Sequence, residues 1–338
     1  MKALVCVRPR QLEYTRIEQP RQEPGMAIVR ITHIGICGTD LHAFEGTQPY
    51  FSYPRILGHE LSGELVQADG NNAIAPGERV TLLPYFNCGK CIACRSGRPN
   101  CCAHLSVCGV HADGGMTEYL AVPSHLLVAS QGLGPAELAL VESLAIGAHG
   151  VRRAGIAKNE FVLVMGAGPI GAGTMAFARI AGATVIAIDT NRSRLQFCSR
   201  RQLAHYTIHA GDVDILQQLQ HITLGDMPTV VIDATGNQQA INNGLQYLAH
   251  SGRYVLIGLQ KNELIFSHPE FHKRETTLMT SRNATREDFD HVIASIRKGD
   301  INAGDFITEQ VPFSQVKDLF PGWLTPSDTR IKTIVQMD

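Results

Sequence analysis

The sequence predicts two kinds of fold in one chain: a mostly β part with a barrel-like core, and a doubly wound α/β part on a parallel sheet. Three observations carry this. Short runs alternating apolar and polar residues fill the early chain. From about Gly150 continuous apolar runs alternate with helical segments. A Gly-x-Gly-x-x-Gly turn stands where the first of those runs meets its helix. A chain of 338 residues has room for two cores. Its 44% hydrophobic and 18% charged content is that of a globular protein. A net charge of -1 and the lack of a basic stripe argue against nucleic acid as a partner. No run approaches the roughly 20 apolar residues of a membrane helix, so we expect no membrane association and a cytoplasmic location.

Taken in order, residues 1 to about 35 read as β-strands, for example Ala27-Ile28-Val29-Arg30-Ile31. Leu61 to Val66 and Arg79 to Leu83 continue the pattern, the latter after the Pro76-Gly77 turn. Between them lie Cys37 and the run Gly58-His59-Glu60. A thiolate, an imidazole and a carboxylate suit a zinc ion that keeps one coordination place open. Cys37, His59 and Glu60 are the candidate ligands, and Glu142 is a further carboxylate for the metal or its water.

Nine cysteines include Cys88-x-x-Cys91-x-x-Cys94, with Cys102 eight residues later. In a reducing compartment this spacing argues for a closed structural zinc site. Cys88, Cys91 and Cys94 supply three thiolates; Cys102 or its neighbour Cys101 supplies the fourth. Cys6, Cys108 and Cys198 read as small buried hydrophobes.

Phe161 to Met165 is a continuous apolar run, as for a strand covered on both faces. It leads through Gly166, Gly168, Pro169, Ile170 and Gly171 into a small-residue helix over 172–181. A second strand, 184–188, ends at Asp189. Strand, glycine turn, helix and an acidic residue about twenty positions on make the dinucleotide fingerprint. Asp189 would accept from the adenosine ribose hydroxyls and repel a 2′-phosphate, so NAD is favoured over NADP. Arg192 and Arg194 follow and flank the adenine or stand in solvent.

Downstream the pattern predicts strands at 206–209, 229–233 and 253–257 and helices at 212–220 and 238–250. Thr235, Gly236 and Gly258 fall at carboxyl ends of strands, where such sheets hold their ligand. A further amphipathic helix is predicted over 285–298, and a last strand-like segment, 331–335, is expected to return to the first domain.

With both cysteine clusters, Gly58-His59-Glu60 and the 166–171 turn in view, the chain resembles the zinc-dependent medium-chain alcohol dehydrogenases over its whole length. Within them it is similar to the polyol and sugar-acid branch. The resemblance implies a GroES-like catalytic domain, residues 1–148 and 286–338, carrying two zinc ions. It also implies a Rossmann NAD-binding domain, 149–285, and a homodimer or homotetramer. By it Cys37, His59, Glu60 and Glu142 surround the catalytic zinc, and Cys102 rather than Cys101 completes the structural set. Thr39 matches the hydroxyl that takes the substrate proton, His42 the histidine that passes it to water, and Asp40 the carboxylate that orients the zinc histidine. Ser143, where the family usually has Pro, and Asp69, where it usually has Gly or Ala, depart from the pattern.

The expected activity is NAD-linked oxidation of a secondary alcohol of a small-molecule sugar acid, an aldonate. Arg282 is a candidate for the substrate carboxylate, since a guanidinium suits bidentate pairing. Polyol or threonine oxidation is the alternative. A non-catalytic protein that binds NAD and zinc is the alternative of another class; it predicts loss of the ligand set or proton relay, and both are present.

Overall fold

In the computed structural model the chain forms two compact units, residues 1–143 with 284–338 and residues 144–283. The structure describes every residue except 50, 70–72, 212–213, 326 and 328–329.

The first unit is organised on the strand Met26–Gly35, whose Ala27, Val29, Ile31 and Ile34 join a core that includes Leu61, Leu65 and Leu82. It pairs antiparallel with Glu60–Ala68, Tyr119–Pro123 and Lys332–Gln336. The sheet continues through Arg79–Leu82 to Leu127–Ala129 on one side. On the other, Ile307–Pro312 runs parallel to Lys332–Gln336. A second sheet joins Lys2–Arg8 to Gln11–Arg16 and Arg55–Ile56. The segment near the end of the chain thus supplies a strand beside one of the earliest.

In the second unit six strands are all parallel. Their order is Tyr206–His209, Thr184–Asp189, Phe161–Met165, Val230–Asp233, Arg253–Leu256, Thr277–Thr280. Numbered along the chain this is 3-2-1-4-5-6, the order of dinucleotide-binding sheets. Leu163, Ile186, Val231 and Tyr254 lie at its core with no exposed surface. Burial on both faces explains why these strands read as unbroken apolar runs.

Several boundaries move from the sequence reading. The helix after the glycine turn begins at Pro169, with Gly168 as its N-cap, because proline fits the first helical position. The helix expected over 212–220 runs from Ile215 to Ile222. Asp214 caps it by accepting from the N–H groups of Leu216 and Gln217, while 212 and 213 lie outside the described residues. The helix expected to reach His250 stops at Gly244 and passes into a 3-10 turn, Leu245–Tyr247. There the buried Tyr254 hydroxyl donates to the Ile241 carbonyl at 2.8 Å and abuts Gly244. Among the helices not read from the sequence are Gly38–Glu45, directly after Cys37, and Pro135–Ala154, which carries Glu142. No helix among the described residues is long and apolar enough to cross a membrane.

Candidate active site

Cys37 is the N-cap of the helix Gly38–Glu45, and the helix starts there through a capping box. The cysteine sulfur accepts from the Asp40 N–H, and Asp40 Oδ2 accepts from the Cys37 N–H at 2.9 Å. Sulfur thus takes the place usually held by a serine or threonine oxygen at the start of a helix. Asp40 is buried, and its other oxygen accepts from the Gly58 N–H at 3.0 Å. One carboxylate therefore ties the cysteine helix to the loop carrying His59.

His59 and Glu60 are buried. The Cys37 sulfur, a ring nitrogen of His59 and a Glu60 oxygen all lie within 4.8 Å of one another. His59 Nδ1 is buried, has no hydrogen-bond partner, and lies 3.8 Å from Asp40 Oδ1. Burial alone would pull the His59 pKa down, yet the charges of Cys37 and Asp40 outweigh it and hold the imidazole well above its ordinary value. Such a group of anions draws a cation into a dry site. Thiolate, imidazole and carboxylate are the donor types zinc takes, so the residues fit a zinc ion. Glu142 lies outside this close set, and the Tyr85 hydroxyl donates to its Oε1. Burial raises the Glu142 pKa, with the nearby Glu60 charge adding to the rise and His59 opposing it.

Sequence reasoning missed three contributors. Lys332 Nζ donates to both Glu60 oxygens, at 2.6 and 2.7 Å, and to the Ile36 carbonyl at 3.2 Å. The signal for it was a lysine inside the apolar run Ile331 to Val335. Tyr85 gave no sequence signal. Asp233, the end residue of a strand, is the third, in the second unit. On the cysteine helix Thr39 is half-buried and His42 exposed, one turn apart and so on one face. His42 Nδ1 lies 3.2 Å from the Thr47 hydroxyl.

The second cluster is closed. The sulfurs of Cys88, Cys91, Cys94 and Cys102 all lie within 4.8 Å of one another, and Cys101 is exposed outside the set. The N–H groups of Cys88 and His104 donate to the Cys102 sulfur at 3.3 Å each. Backbone donors, Cys94 first, bring the Cys91 thiol down to about 6, which favours the thiolate a metal needs. Four converging thiols in a short loop fit a structural zinc.

In the second unit Gly166 has φ 96°, and a Cβ on Gly171 would sit 1.8 Å from the Gly166 carbonyl oxygen. Only glycines allow this turn, which leaves the first helical turn, Gly168 to Gly171, with the open N-terminus that suits a phosphate. Asp189 holds the turn from below: its carboxylate accepts from the Ala167 N–H at 2.6 Å and the Asn191 N–H at 2.7 Å. The Arg194 guanidinium stands next to Gly168. At the neighbouring strand end the buried Asp233 carboxylate accepts from Thr235 and from the Gly236 N–H. A Cβ on Gly258 would lie 2.2 Å from the Gly236 nitrogen, so these two loops meet backbone to backbone. Arg282 is exposed, two residues beyond the strand Thr277–Thr280.

Comparison with known proteins agrees with this geometry. Residues 23–132 match the alcohol dehydrogenase GroES-like domain, and residues 169–298 match the zinc-binding dehydrogenase domain. L-galactonate-5-dehydrogenase of Escherichia coli (strain K12) is 46% identical over 322 residues, 95% of this chain and 94% of that protein. Sorbitol dehydrogenase of Halalkalibacterium halodurans is 30% identical over 322 residues, covering 93% of this chain and 94% of that one. Among solved structures, the short chain alcohol dehydrogenase rspB of E. coli CFT073, complexed with the cofactor NADH, superposes with a TM-score of 0.93. It is 28% identical, with 99% of each chain covered.

Proposed function

The chain belongs to the zinc-dependent medium-chain alcohol dehydrogenases, and from that premise we propose that it oxidises a secondary alcohol of an aldonate, with L-galactonate at carbon five the leading substrate. The products are the keto acid, NADH and a proton. One observation carries the substrate: 46% identity, sustained over 95% of the chain, to a protein named L-galactonate-5-dehydrogenase.

Zinc, held by Cys37, His59 and the carboxylates Glu60 and Glu142, would supply the Lewis acidity that makes the alcohol hydroxyl acidic, and NAD would accept the hydride. The chain's own residues do the rest. Thr39, two residues after Cys37, takes the hydroxyl proton. His42, exposed one turn further on, releases it to water. Asp40 keeps the His59 ring in one orientation, and Tyr85 steadies Glu142. Glycines 166, 168 and 171 bring the pyrophosphate to the helix N-terminus, with Pro169 and Ile170 in its first turn and Arg194 beside it. Asp189 selects the unphosphorylated ribose. Thr235, Gly236 and Gly258 line the nicotinamide end, and Arg282 pairs with the substrate carboxylate.

The test is NADH formation by zinc-replete protein with L-galactonate, other aldonates, sorbitol and threonine. We expect kcat/KM for an aldonate to exceed that for sorbitol by at least tenfold, about 1.4 kcal/mol of differential transition-state binding. Arg282→Ala should raise KM for the aldonate alone. A preference for sorbitol would favour the polyol reading, which the 30% identical sorbitol dehydrogenase supports.

A further inference from the structure

The helix Gly38–Glu45 ends at Gly46, whose left-handed φ of 89° turns the chain back over its last turn. The His42 carbonyl then accepts from the N–H groups of Gly46 at 3.0 Å, Thr47 at 2.9 Å and Gln48 at 3.2 Å. That closure sets the Thr47 side chain against the His42 ring. Its hydroxyl oxygen lies 3.2 Å from His42 Nδ1 and 3.3 Å from Glu45 Oε2, with the His42 carbonyl at 3.4 Å. Arg10 Nη2 stands 3.8 Å from the other oxygen of the same carboxylate, Oε1. Arg10 comes from the turn between the strands Lys2–Arg8 and Gln11–Arg16, and its own N–H is tied to the Phe44 carbonyl at 2.6 Å.

Valence fixes the hydrogens of this group. An ionised carboxylate only accepts, and a hydroxyl has one proton to give. Thr47 gives it to the charged Glu45 in preference to the neutral carbonyl. The hydroxyl then has only lone pairs left for His42, so Nδ1 carries a hydrogen and donates it to Thr47. In a neutral imidazole the other nitrogen, Nε2, is left as the acceptor. Contacts of this length are those of a catalytic group before its ligands tighten it.

We propose that Thr47, oriented by Glu45, is a positioning residue for the proton relay: it holds His42 as the Nδ1–H tautomer, with Nε2 open to the proton that Thr39 takes from the alcohol. The proposal rests on the relay reading given above and names the groups that make His42 a base. When the proton arrives, the Nε2–H bond forms. The imidazolium keeps its Nδ1–H on Thr47, and the Glu45 charge stands behind that hydroxyl. Loss of the same Nε2 proton to water restores the starting tautomer.

The experiment compares full-length, zinc-replete wild type with Thr47→Val, Thr47→Ser and Glu45→Ala. Ring NMR of His42, in protein labelled with heavy nitrogen and without alcohol, reads the tautomer. NADH formation in a single turnover gives the rate, and steady-state kinetics give KM for the alcohol. Wild type should show Nδ1–H. Thr47→Val removes the hydroxyl and Glu45→Ala frees its hydrogen to point at Nδ1, so in both the Nε2–H tautomer should gain. In both, the single-turnover rate should fall severalfold while KM stays near that of wild type. Thr47→Ser keeps the hydroxyl and should keep the tautomer and the rate. Wild type already in the Nε2–H form would overturn the proposal, as would a Thr47→Val ring unchanged from wild type. A slower rate without a change of tautomer overturns it too, being the mark of a merely structural threonine. So does a change of tautomer without a slower rate. Should Thr47→Val fail to fold, the exposed Glu45→Ala decides by the same two readings. Wild type that forms no NADH with any alcohol removes the relay reading and the proposal with it, whereas failure of the proposal alone leaves wild type active.

Discussion

Replacing Asp40 with asparagine separates what a buried carboxylate does for the metal from what it does for the fold. Its two oxygens each serve a different backbone donor, Cys37 N–H at 2.9 Å and Gly58 N–H at 3.0 Å. A carboxamide has one oxygen, so one of those N–H groups would face an amide NH2 instead. Leaving a buried donor unsatisfied costs about 1–3 kcal/mol. The negative charge facing His59 Nδ1 at 3.8 Å is lost as well. Carboxylates in this position behind a metal-binding histidine are worth about 10–100-fold in metal affinity, or roughly 1.4–2.8 kcal/mol. The Asp40→Asn protein should therefore fold, keep its structural zinc at wild-type affinity, and release its second zinc to a competing chelator at about 10–100-fold lower concentration. Chelator titration gives the affinities, and urea unfolding of the zinc-saturated protein gives the stability. Unchanged affinity at both sites, with stability within about 0.5 kcal/mol of wild type, would refute the reasoning, since that is the range of an ordinary surface change.

In the cysteine loop, Cys102→Ser should cost one zinc per chain and expose residues 88–102 to protease, while Cys101→Ser should change neither. Zinc content and limited proteolysis distinguish the two. Alkylation of the native, zinc-replete protein should reach the exposed Cys101 at neutral pH and spare Cys6, pushed up to about 11, and Cys108 and Cys198, pushed up to about 12, all three by burial. Mass spectrometry of the labelled peptides reads this out. His205 accepts the Val185 N–H on its Nδ1 at 2.9 Å, which only the unprotonated ring can do, and burial and the Arg179 charge lower its pKa below 6.5. The unfolded chain then binds the proton first, so the His205 contribution is complete above about 6.5 and is lost as pH falls through and below that value. His205→Gln should flatten the fall in urea midpoint over that window; an unaltered slope would show that this ring is not the group involved. Asp189→Ala should raise KM for NAD about tenfold or more through loss of the ribose and the Ala167 anchor, and narrow the preference over NADP, as cofactor kinetics would show.

What could be read from the sequence was whatever the chain keeps local. The glycine turn, its helix and Asp189 lie within about twenty-five residues, and the four thiols of Cys88, Cys91, Cys94 and Cys102 within fifteen. Each cluster needs only short-range geometry to form. The helix on Cys37 escaped because its cap is a sulfur and Gly38 opens it, neither of which signals a helix start. The helix under Glu142 escaped because its run of buried aliphatic and small residues shows little contrast between faces. Tyr85 meets Glu142 across 57 residues, and Lys332 meets Glu60 across 272. Neither partnership leaves a trace at either end, except that a lysine in an apolar strand is out of place without one.

That last separation sets a timetable for biosynthesis. At about 5–20 residues per second, a ribosome that has made Glu60 needs roughly 14–54 s more to reach Lys332. Throughout that interval the parallel-sheet unit, contiguous from 144 to 283, can condense as it emerges. The metal-ligand strands cannot finish, because Met26–Gly35 awaits its neighbour Lys332–Gln336. Nascent chains should thus present thiols and carboxylates to solvent before the ammonium that pairs with Glu60 exists. The half-built centre is then a transient open chelator. Its loading with metal, and any mis-metallation, belongs to the last moments of synthesis rather than the first.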